Sequence, residues 1–227
     1  MDLAGRLADV DARIASAMRA SGRAPGEVTR IVVTKFQPAE LVAQLYELGV
    51  RDVGENRQQE LTAKAAPLAG LDDLRWHFIG QGQTNKARAI RAAASVVHSV
   101  DRERLADALH AADSDGPALD VLLQVNLTDD PRRGGVAPGG AARLAEHVVS
   151  SCPSLRLRGV MAVAPLDEQP AAAFARLADT AAVVRGVVPD ATWISAGMTA
   201  DFVEAIAAGA THLRIGTAIT GPRPPHD

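Results

Sequence analysis

The sequence predicts a (β/α)8 barrel of the TIM type with one extra helix before its first strand. The length of 227 residues suits this class, because one such barrel takes about 250 residues. Short β-branched runs alternate with longer Ala- and Leu-rich stretches, which is the α/β pattern. A doubly wound open sheet is the rival, but it usually carries a Gly-rich turn after its first strand. Here that turn reads Lys35-Phe36-Gln37-Pro38, so the barrel is favoured.

The individual elements follow from the spacing of apolar residues. Leu3, Leu7, Val10, Ile14 and Met18 recur at helical spacing and predict an amphipathic helix at the N-terminus. The β-branched runs predict strands near residues 31–35, 52–53, 75–79, 96–99, 119–125, 157–162, 192–195 and 212–215. Helices are predicted near residues 38–48, 56–66, 84–93, 101–112, 138–150, 170–186 and 199–208. Residues 1–221 are predicted to form a single barrel domain, and the Pro-rich tail at 222–227 is expected to fray.

Composition narrows the classes of function. Hydrophobic residues make up 47% of the chain and charged residues 22%, as in a globular protein with a sizeable core. The formal net charge of −3 gives no reason to expect binding to nucleic acid or to an anionic membrane. No signal-peptide or membrane-spanning type of segment opens the chain, so we expect a cytoplasmic protein. The one cysteine, Cys152, excludes an internal disulfide and a Cys-based metal cluster, and no metal site is predicted.

Lys35 carries the strongest chemical signal in the chain. It closes the apolar run that begins at Ile31, and it precedes Pro38, which suits the N1 position of a helix. A lysine held at the carboxyl end of a strand can present its amine as a nucleophile to a carbonyl compound. Pyridoxal 5′-phosphate (PLP) is the commonest such partner. A strand-end lysine that simply extends into solvent is the alternative.

Two loops near the end of the chain lie where barrels often bind phosphate, after strands seven and eight. They read Ser195-Ala196-Gly197-Met198-Thr199 and Arg214-Ile215-Gly216-Thr217. Glycine lets backbone N–H groups approach an anion, and the hydroxyls can donate to phosphate oxygens. Thr199 is predicted to cap the helix at 199–208, which would aim the first amides of that helix at the anion. Ordinary turning and capping is the alternative.

Arg214 is the second unusual residue, because it stands inside the last predicted strand between Leu213 and Ile215. An inward-facing arginine there can donate a hydrogen bond to a ring nitrogen of a bound cofactor and keep that nitrogen unprotonated. A PLP ring in that state withdraws electrons less strongly, so carbanion chemistry would be restrained. The alternative is an arginine paired with a carboxylate at the barrel rim.

A series of short motifs runs through the chain in a fixed order, from about residue 30 to residue 223. They are Val33-Thr34-Lys35, Gly54-Glu55-Asn56, Trp76-His77-Phe78-Ile79-Gly80, Gln83-Thr84-Asn85-Lys86, His98-Ser99-Val100-Asp101, Gln124-Val125-Asn126, Leu157-Arg158-Gly159-Val160-Met161-Ala162, Gly197-Met198-Thr199-Ala200-Asp201 and Arg214-Ile215-Gly216-Thr217-Ala218-Ile219. Together they resemble the pyridoxal phosphate homeostasis (YggS-like) family, which is similar in fold to the N-terminal barrel of alanine racemase. Members of that family hold PLP as an internal aldimine and are implicated in balancing vitamin B6 and amino-acid pools.

The resemblance implies roles for particular residues of this chain. Lys35 would be the Schiff-base lysine, and Arg214 would face the pyridine nitrogen. Asn56 would lie near the cofactor ring and His77 within the cofactor pocket. The residues around the phosphate would be Ser195, Gly197, Met198, Thr199, Gly216 and Thr217. Asn56 can otherwise be a helix N-cap, and His77 a satisfied core histidine.

Three functions are compatible with this set of residues. The leading one is a monomeric, non-catalytic carrier that binds PLP covalently at Lys35 and passes it to PLP-dependent apoenzymes. The second is a minimal PLP-dependent amino-acid racemase, but its class commonly uses a tyrosine as second base. The one tyrosine, Tyr46, lies in the predicted helix at 38–48, away from the carboxyl ends of the strands. The third is an aldolase-type barrel for another phosphorylated metabolite, which would give Arg214 no pyridine nitrogen to meet.

Overall fold

A computed structural model describes residues 1–222, apart from the side chain of Pro131. Eight parallel strands pair in sequence order, and β1 also pairs with β8, so the sheet closes into the predicted TIM-type barrel. The strands are β1 Thr29–Val33, β2 Asp52–Glu55, β3 Arg75–Phe78, β4 Val96–Val100, β5 Leu119–Gln124, β6 Leu155–Met161, β7 Trp193–Ser195 and β8 His212–Ile215. The Pro-rich tail predicted at 222–227 lies, from residue 223 onward, outside the described residues.

Helices form the outer layer of the barrel. They are α1 Leu3–Ala20, α2 Ala39–Glu47, α3 Gln58–Ala65, α4 Ala87–Ala93, α5 Glu103–Ala112, α6 Ala141–Ser151, α7 Pro170–Val187, α8 Phe202–Ala207 and α9 Thr217–Thr220. The predicted N-terminal helix is present, and the Asp2 side chain caps it by accepting a bond from the Gly5 amide. Arg6 donates from α1 to the carbonyl of Ile219, which ties α1 to α9. Within residues 1–222, no helix is both long and apolar enough to cross a membrane.

Two predicted boundaries differ from the structure at positions that bear on function. The first strand ends at Val33, so Lys35 lies in the turn after β1 and not in the strand itself. The reason is Phe36, whose φ of 65° is incompatible with extended backbone. Pro38 occupies the N-cap position of α2 and not the N1 position.

The barrel interior is unusually polar. Along β3, Trp76 and Phe78 belong to the large apolar core, while His77 between them faces the other way. Branched aliphatic side chains dominate the interior of most barrels of this type. Here a small apolar cluster of Val96, Leu122 and Met161 is joined by buried polar and charged side chains.

Candidate functional site

The carboxyl ends of β1, β7 and β8 lie side by side and form the candidate site. Val32 pairs with Ile215, and a Cβ on Gly216 would lie 3.6 Å from the Cβ of Val33. The Arg214 amide donates to the carbonyl of Gly197 at 3.0 Å, which ties the loop after β7 to β8. The Lys35 turn and both glycine loops therefore share the edge at which barrels of this fold carry their active sites.

Lys35 is exposed on a tight turn at this edge. The turn is closed by a bond from the Gln37 amide to the carbonyl of Thr34 at 3.0 Å, and Phe36 takes its third position with φ 65°. That combination is typical of a type II turn, whose third position favours glycine. Among residues 1–222, no carboxylate pairs with the Lys35 ammonium, which lies 6.0 Å from the centre of the Phe36 ring. The Lys35 amine is thus accessible. This is required of a lysine that bonds a carbonyl compound and also of one that simply extends into solvent.

The loop after β7 is shaped by Gly197 and Asp201. Gly197 has φ 89°, and a Cβ there would lie 2.7 Å from the Cβ of Ala205. The Asp201 carboxylate accepts a bond from the Met198 amide at 2.6 Å. Asp201 also occupies the N-cap position of α8, which begins at Phe202. The prediction that Thr199 caps a helix at 199–208 is therefore wrong, because a turn at 199–201 takes the place of its first helical turn.

The loop after β8 leads directly into the short helix α9. The amides of Ile219 and Thr220 both donate to the carbonyl of Gly216. Earlier amides of a helix have no acceptor within it, so those of Thr217 and Ala218 are available to another group. The Thr217 side chain is exposed. This loop therefore offers the amides and the hydroxyl that an anion needs.

A single hydrogen-bonded column crosses the barrel interior. His77 Nε2 lies 2.8 Å from Asp52 Oδ1, and His77 Nδ1 lies 2.9 Å from His98 Nε2. His98 Nδ1 lies 3.0 Å from Ser195 Oγ, to which Arg214 Nη1 donates at 2.7 Å. Burial lowers the pKa of both histidines, so each ring is neutral and has one donor and one acceptor nitrogen.

The two ends of the column fix the direction of every bond in it. The Asp52 carboxylate can only accept, so His77 donates from Nε2 and accepts at Nδ1. His98 must then donate from Nε2 and accept the Ser195 proton at Nδ1. The Ser195 oxygen is left to accept from Arg214, as the geometry requires. Asp52 and His98 were not predicted as members of the site, although a histidine within the run Val96-Val97-His98 was a visible signal.

Two of the predicted site residues belong to this column. His77 and Ser195 both have 0% exposure, and their polar side-chain atoms are bonded within the barrel. His77 is therefore bonded at both ring nitrogens as a core histidine, and the Ser195 hydroxyl bonds to His98, while the roles of both residues in binding a cofactor stay predictions. Strand residues that face inward reach the barrel axis, whereas a ligand at the carboxyl ends contacts the loops beyond the strands.

Arg214 is a buried cation without an ionic partner. It retains 5% exposure, donates to Ser195 Oγ and to the carbonyl of Ala162, and has no carboxylate within 4.0 Å among the described residues. The predicted alternative of a rim ion pair is therefore not observed. Burial lowers the pKa of Arg214 to about 10, so the group is still charged at neutral pH. A buried charge without a counterion is costly, and a ligand acceptor would offset that cost.

Asn56 follows β2 at the same edge of the barrel. Its Oδ1 is buried and accepts no hydrogen bond from the described residues. The alternative of a helix N-cap is wrong, because Arg57 occupies the N-cap position of α3 and α3 begins at Gln58. An unpaired buried oxygen costs about 1–3 kcal/mol. The geometry therefore leaves one acceptor for a donor that a ligand would bring.

The neutral interior histidines predict how stability depends on pH. Burial lowers the pKa of His77 and His98, and that of His212 to about 3, from a usual 6.5. Below pH 6.5 the unfolded chain takes up protons that the native protein does not, so the free energy of unfolding falls. Each such group contributes a slope of about 1.4 kcal/mol per pH unit. Burial raises the pKa of Glu55, so this one group changes the free energy of unfolding in the opposite direction. The three histidines outweigh it.

Urea unfolding at pH 7.5 and pH 5.5 measures this dependence. We expect a clearly smaller free energy of unfolding at the lower pH. Equal or greater stability at pH 5.5 would contradict the assignment of neutral interior histidines.

The closed barrel, the lysine after β1 and the glycine loops after β7 and β8 define a protein of the alanine racemase N-terminal class. The family model described as alanine racemase, N-terminal domain, matches residues 9–224. A pyridoxal phosphate homeostasis protein of Pseudomonas aeruginosa is 43% identical over 97% of this chain and 96% of its own length. The Escherichia coli K12 protein of the same name is 36% identical over 98% and 97%. The chain belongs to the pyridoxal phosphate homeostasis protein family.

Solved structures agree with this assignment. PipY of Synechococcus elongatus, in a structure with PLP bound, superposes with a TM-score of 0.83 at 35% identity and covers 97% of this chain and 100% of its own. Alanine racemase from Corynebacterium glutamicum gives a TM-score of 0.67 at 14% identity, over 91% of this chain and 59% of its own. The second similarity concerns the fold alone.

Proposed function

We propose that this protein binds PLP, holds it through a covalent bond to Lys35, and acts in PLP and amino-acid homeostasis. One observation carries the proposal: the exposed Lys35 amine shares an edge of the barrel with both glycine loops. The relatives named pyridoxal phosphate homeostasis protein and the PLP-bound PipY structure support it.

Different residues of the site suit the phosphate and the aldehyde of PLP. The phosphate would be held by the loops at Gly197, Met198 and Thr199 and at Gly216 and Thr217. When bound, PLP supplies an aldehyde that condenses with a primary amine, and Lys35 offers that amine.

The ring has two partners in the site. Arg214 is a donor only, so a pyridine nitrogen facing it accepts and stays unprotonated. The unpaired Asn56 oxygen suits the ring hydroxyl as a donor.

A carrier without efficient catalysis fits the site better than a racemase. Tyr46 bonds to Asp73 and stacks under Arg51 at the amino ends of β2 and β3. It is therefore remote from Lys35, and a racemase of this class would lack its usual second base. We propose that PLP-dependent apoenzymes accept the cofactor and that the carrier acts as a monomer.

Exchange at Cα separates the carrier from the racemase. We expect the PLP-loaded protein to exchange the Cα proton of alanine with deuterium no faster than the same concentration of free PLP, because a pyridine nitrogen that faces Arg214 stays unprotonated and the ring then withdraws electrons weakly. Proton NMR in deuterium oxide measures this rate. Steady exchange that is lost in Lys35→Ala would favour the racemase.

The binding proposal is tested by titrating the purified protein with PLP and with pyridoxine 5′-phosphate, which carries an alcohol in place of the aldehyde. We expect PLP to give the absorbance of a lysine-bound cofactor, and the alcohol to bind more weakly without that absorbance. Protein that is colourless and fails to take up added PLP would overturn the proposal.

A further inference from the structure

A cluster of charged side chains lies directly against the Lys35 turn. Glu55 is the last residue of β2 and has 0% exposure, and Lys64 of α3 is also buried. Lys64 Nζ lies 2.7 Å from Glu55 Oε1, which also accepts from the Thr34 hydroxyl at 2.6 Å. Lys64 Nζ is also 3.5 Å from Glu60 Oε2.

Two of these side chains hold the peptide groups on either side of Lys35. Lys64 Nζ donates to the carbonyl of Thr34 at 2.9 Å, which belongs to the peptide before Lys35. Glu60 Oε2 accepts from the amide of Phe36 at 2.8 Å, which belongs to the peptide after Lys35. With both flanking peptides fixed by α3, the direction of the Cα–Cβ bond of Lys35 is fixed as well.

The arrangement costs stability, which argues against a purely structural purpose. Lysine and glutamate are almost never fully buried unless paired, and a buried ion pair is weak support for a fold. Glu55 Oε2 is buried with no partner among the described residues. Phe36 holds a left-handed φ of 65°, a conformation that costs about 1–3 kcal/mol and persists only where surrounding contacts enforce it. Such strain is concentrated at functional sites.

We propose that Lys64 and Glu60, with Glu55 holding Lys64 in place, are positioning residues that aim the Lys35 amine at the aldehyde of the ligand. The inference rests on the proposed function. In the bond-forming step the Lys35 nitrogen joins the aldehyde carbon through a C=N bond, and the aldehyde oxygen leaves as water with the two amine protons. Misdirecting the amine by about 1 Å would slow this step on the order of a hundredfold.

A pair of ligands separates positioning from mere support of the fold. PLP uses the Lys35 amine, whereas pyridoxine 5′-phosphate occupies the same pocket without it. In Lys64→Met we expect PLP affinity to fall by about tenfold or more and covalent capture to slow, with affinity for the alcohol unchanged. Stopped-flow absorbance and equilibrium titration of the full chain give both values. Arg88→Met, which removes an exposed cation on α4, is the matched control and should behave as wild type.

Glu60 provides a second, more conservative test, because it is partly exposed and its loss is easier for the fold to tolerate. Glu60→Ala removes the acceptor of the Phe36 amide and should slow PLP capture, while Glu60→Gln keeps an acceptor oxygen and should restore much of the rate. If Lys64→Met does not fold, this pair decides the question.

The outcomes are distinguishable. Wild-type protein that forms no covalent bond with PLP would overturn the proposed function itself. Wild-type protein that bonds PLP while the Lys64 and Glu60 variants capture it equally fast would overturn the positioning role alone. Equal loss of PLP and of the alcohol in these variants would also overturn it, since that pattern reports a damaged pocket.

Discussion

Replacing Lys35 with alanine is expected to abolish covalent retention of PLP and to lower its affinity on the order of a hundredfold or more. A factor of a hundred corresponds to about 2.7 kcal/mol. The physical reason is that Lys35 is the exposed amine at the carboxyl end of β1, on the edge shared with both glycine loops. Absorbance and equilibrium dialysis measure the two effects. Affinity for pyridoxine 5′-phosphate should change little, because that ligand does not use the amine.

Two control variants make the Lys35 result specific. Lys35→Arg keeps the positive charge but cannot form the bond, because the guanidinium stays protonated. It should match Lys35→Ala in losing the absorbance of bound cofactor. Lys86→Ala removes a lysine elsewhere and should match wild type. Undiminished covalent binding of PLP in Lys35→Ala would contradict the assignment.

Replacing Gly197 with alanine is expected to disrupt phosphate binding. The new Cβ would lie 2.7 Å from the Cβ of Ala205 and 3.0 Å from the Cα of Phe202, at a φ of 89° that L side chains rarely adopt. We expect the loop and the start of α8 to separate, with a loss of about 1–3 kcal/mol in the free energy of unfolding. Affinity for pyridoxine 5′-phosphate should fall by about tenfold, which is about 1.4 kcal/mol.

Gly209→Ala is the matched control for this prediction. Gly209 follows α8 with φ 95°, and a Cβ there would meet nothing within 4 Å. The substitution carries the same backbone strain without the clash and away from the loop, so it should lower stability while leaving ligand affinity intact. Calorimetric titration and thermal unfolding compare the two variants. Equal ligand affinity in Gly197→Ala and wild type would contradict a phosphate site at this loop.

Most of the fold was predictable because the eight strands and every helix other than the short α9 carry a local signal. The ends of strands and helices were harder to predict where a single residue adopts a backbone conformation that is rare for its type. The left-handed conformation of Phe36 ends β1 before Lys35, and nothing about phenylalanine signals it. Similarly, Asp201 and not Thr199 occupies the N-cap position of α8, and its carboxylate accepts a bond from the Met198 amide.

The site was predictable where its parts are short segments of sequence. Lys35 and the two glycine loops carry their signal in adjacent residues, and the barrel topology brings them together. The column from Asp52 to Arg214 joins residues far apart in sequence, so only the closed barrel reveals that His77 and Ser195 face inward. Lys64 carries no such signal for a different reason: a lysine four residues after Glu60 is equally typical of a solvated helix face.

Reduction of PLP-loaded wild-type protein with borohydride, followed by intact-mass measurement and peptide mapping, tests the central claim most directly. Reduction converts a C=N bond to a stable amine, so the modified residue can be located. We predict the mass of one reduced cofactor per chain, carried by the peptide that contains Lys35 and by no other. A cofactor fixed mainly at Lys64 or Lys86, or no fixed cofactor on protein that has bound PLP, would contradict the account.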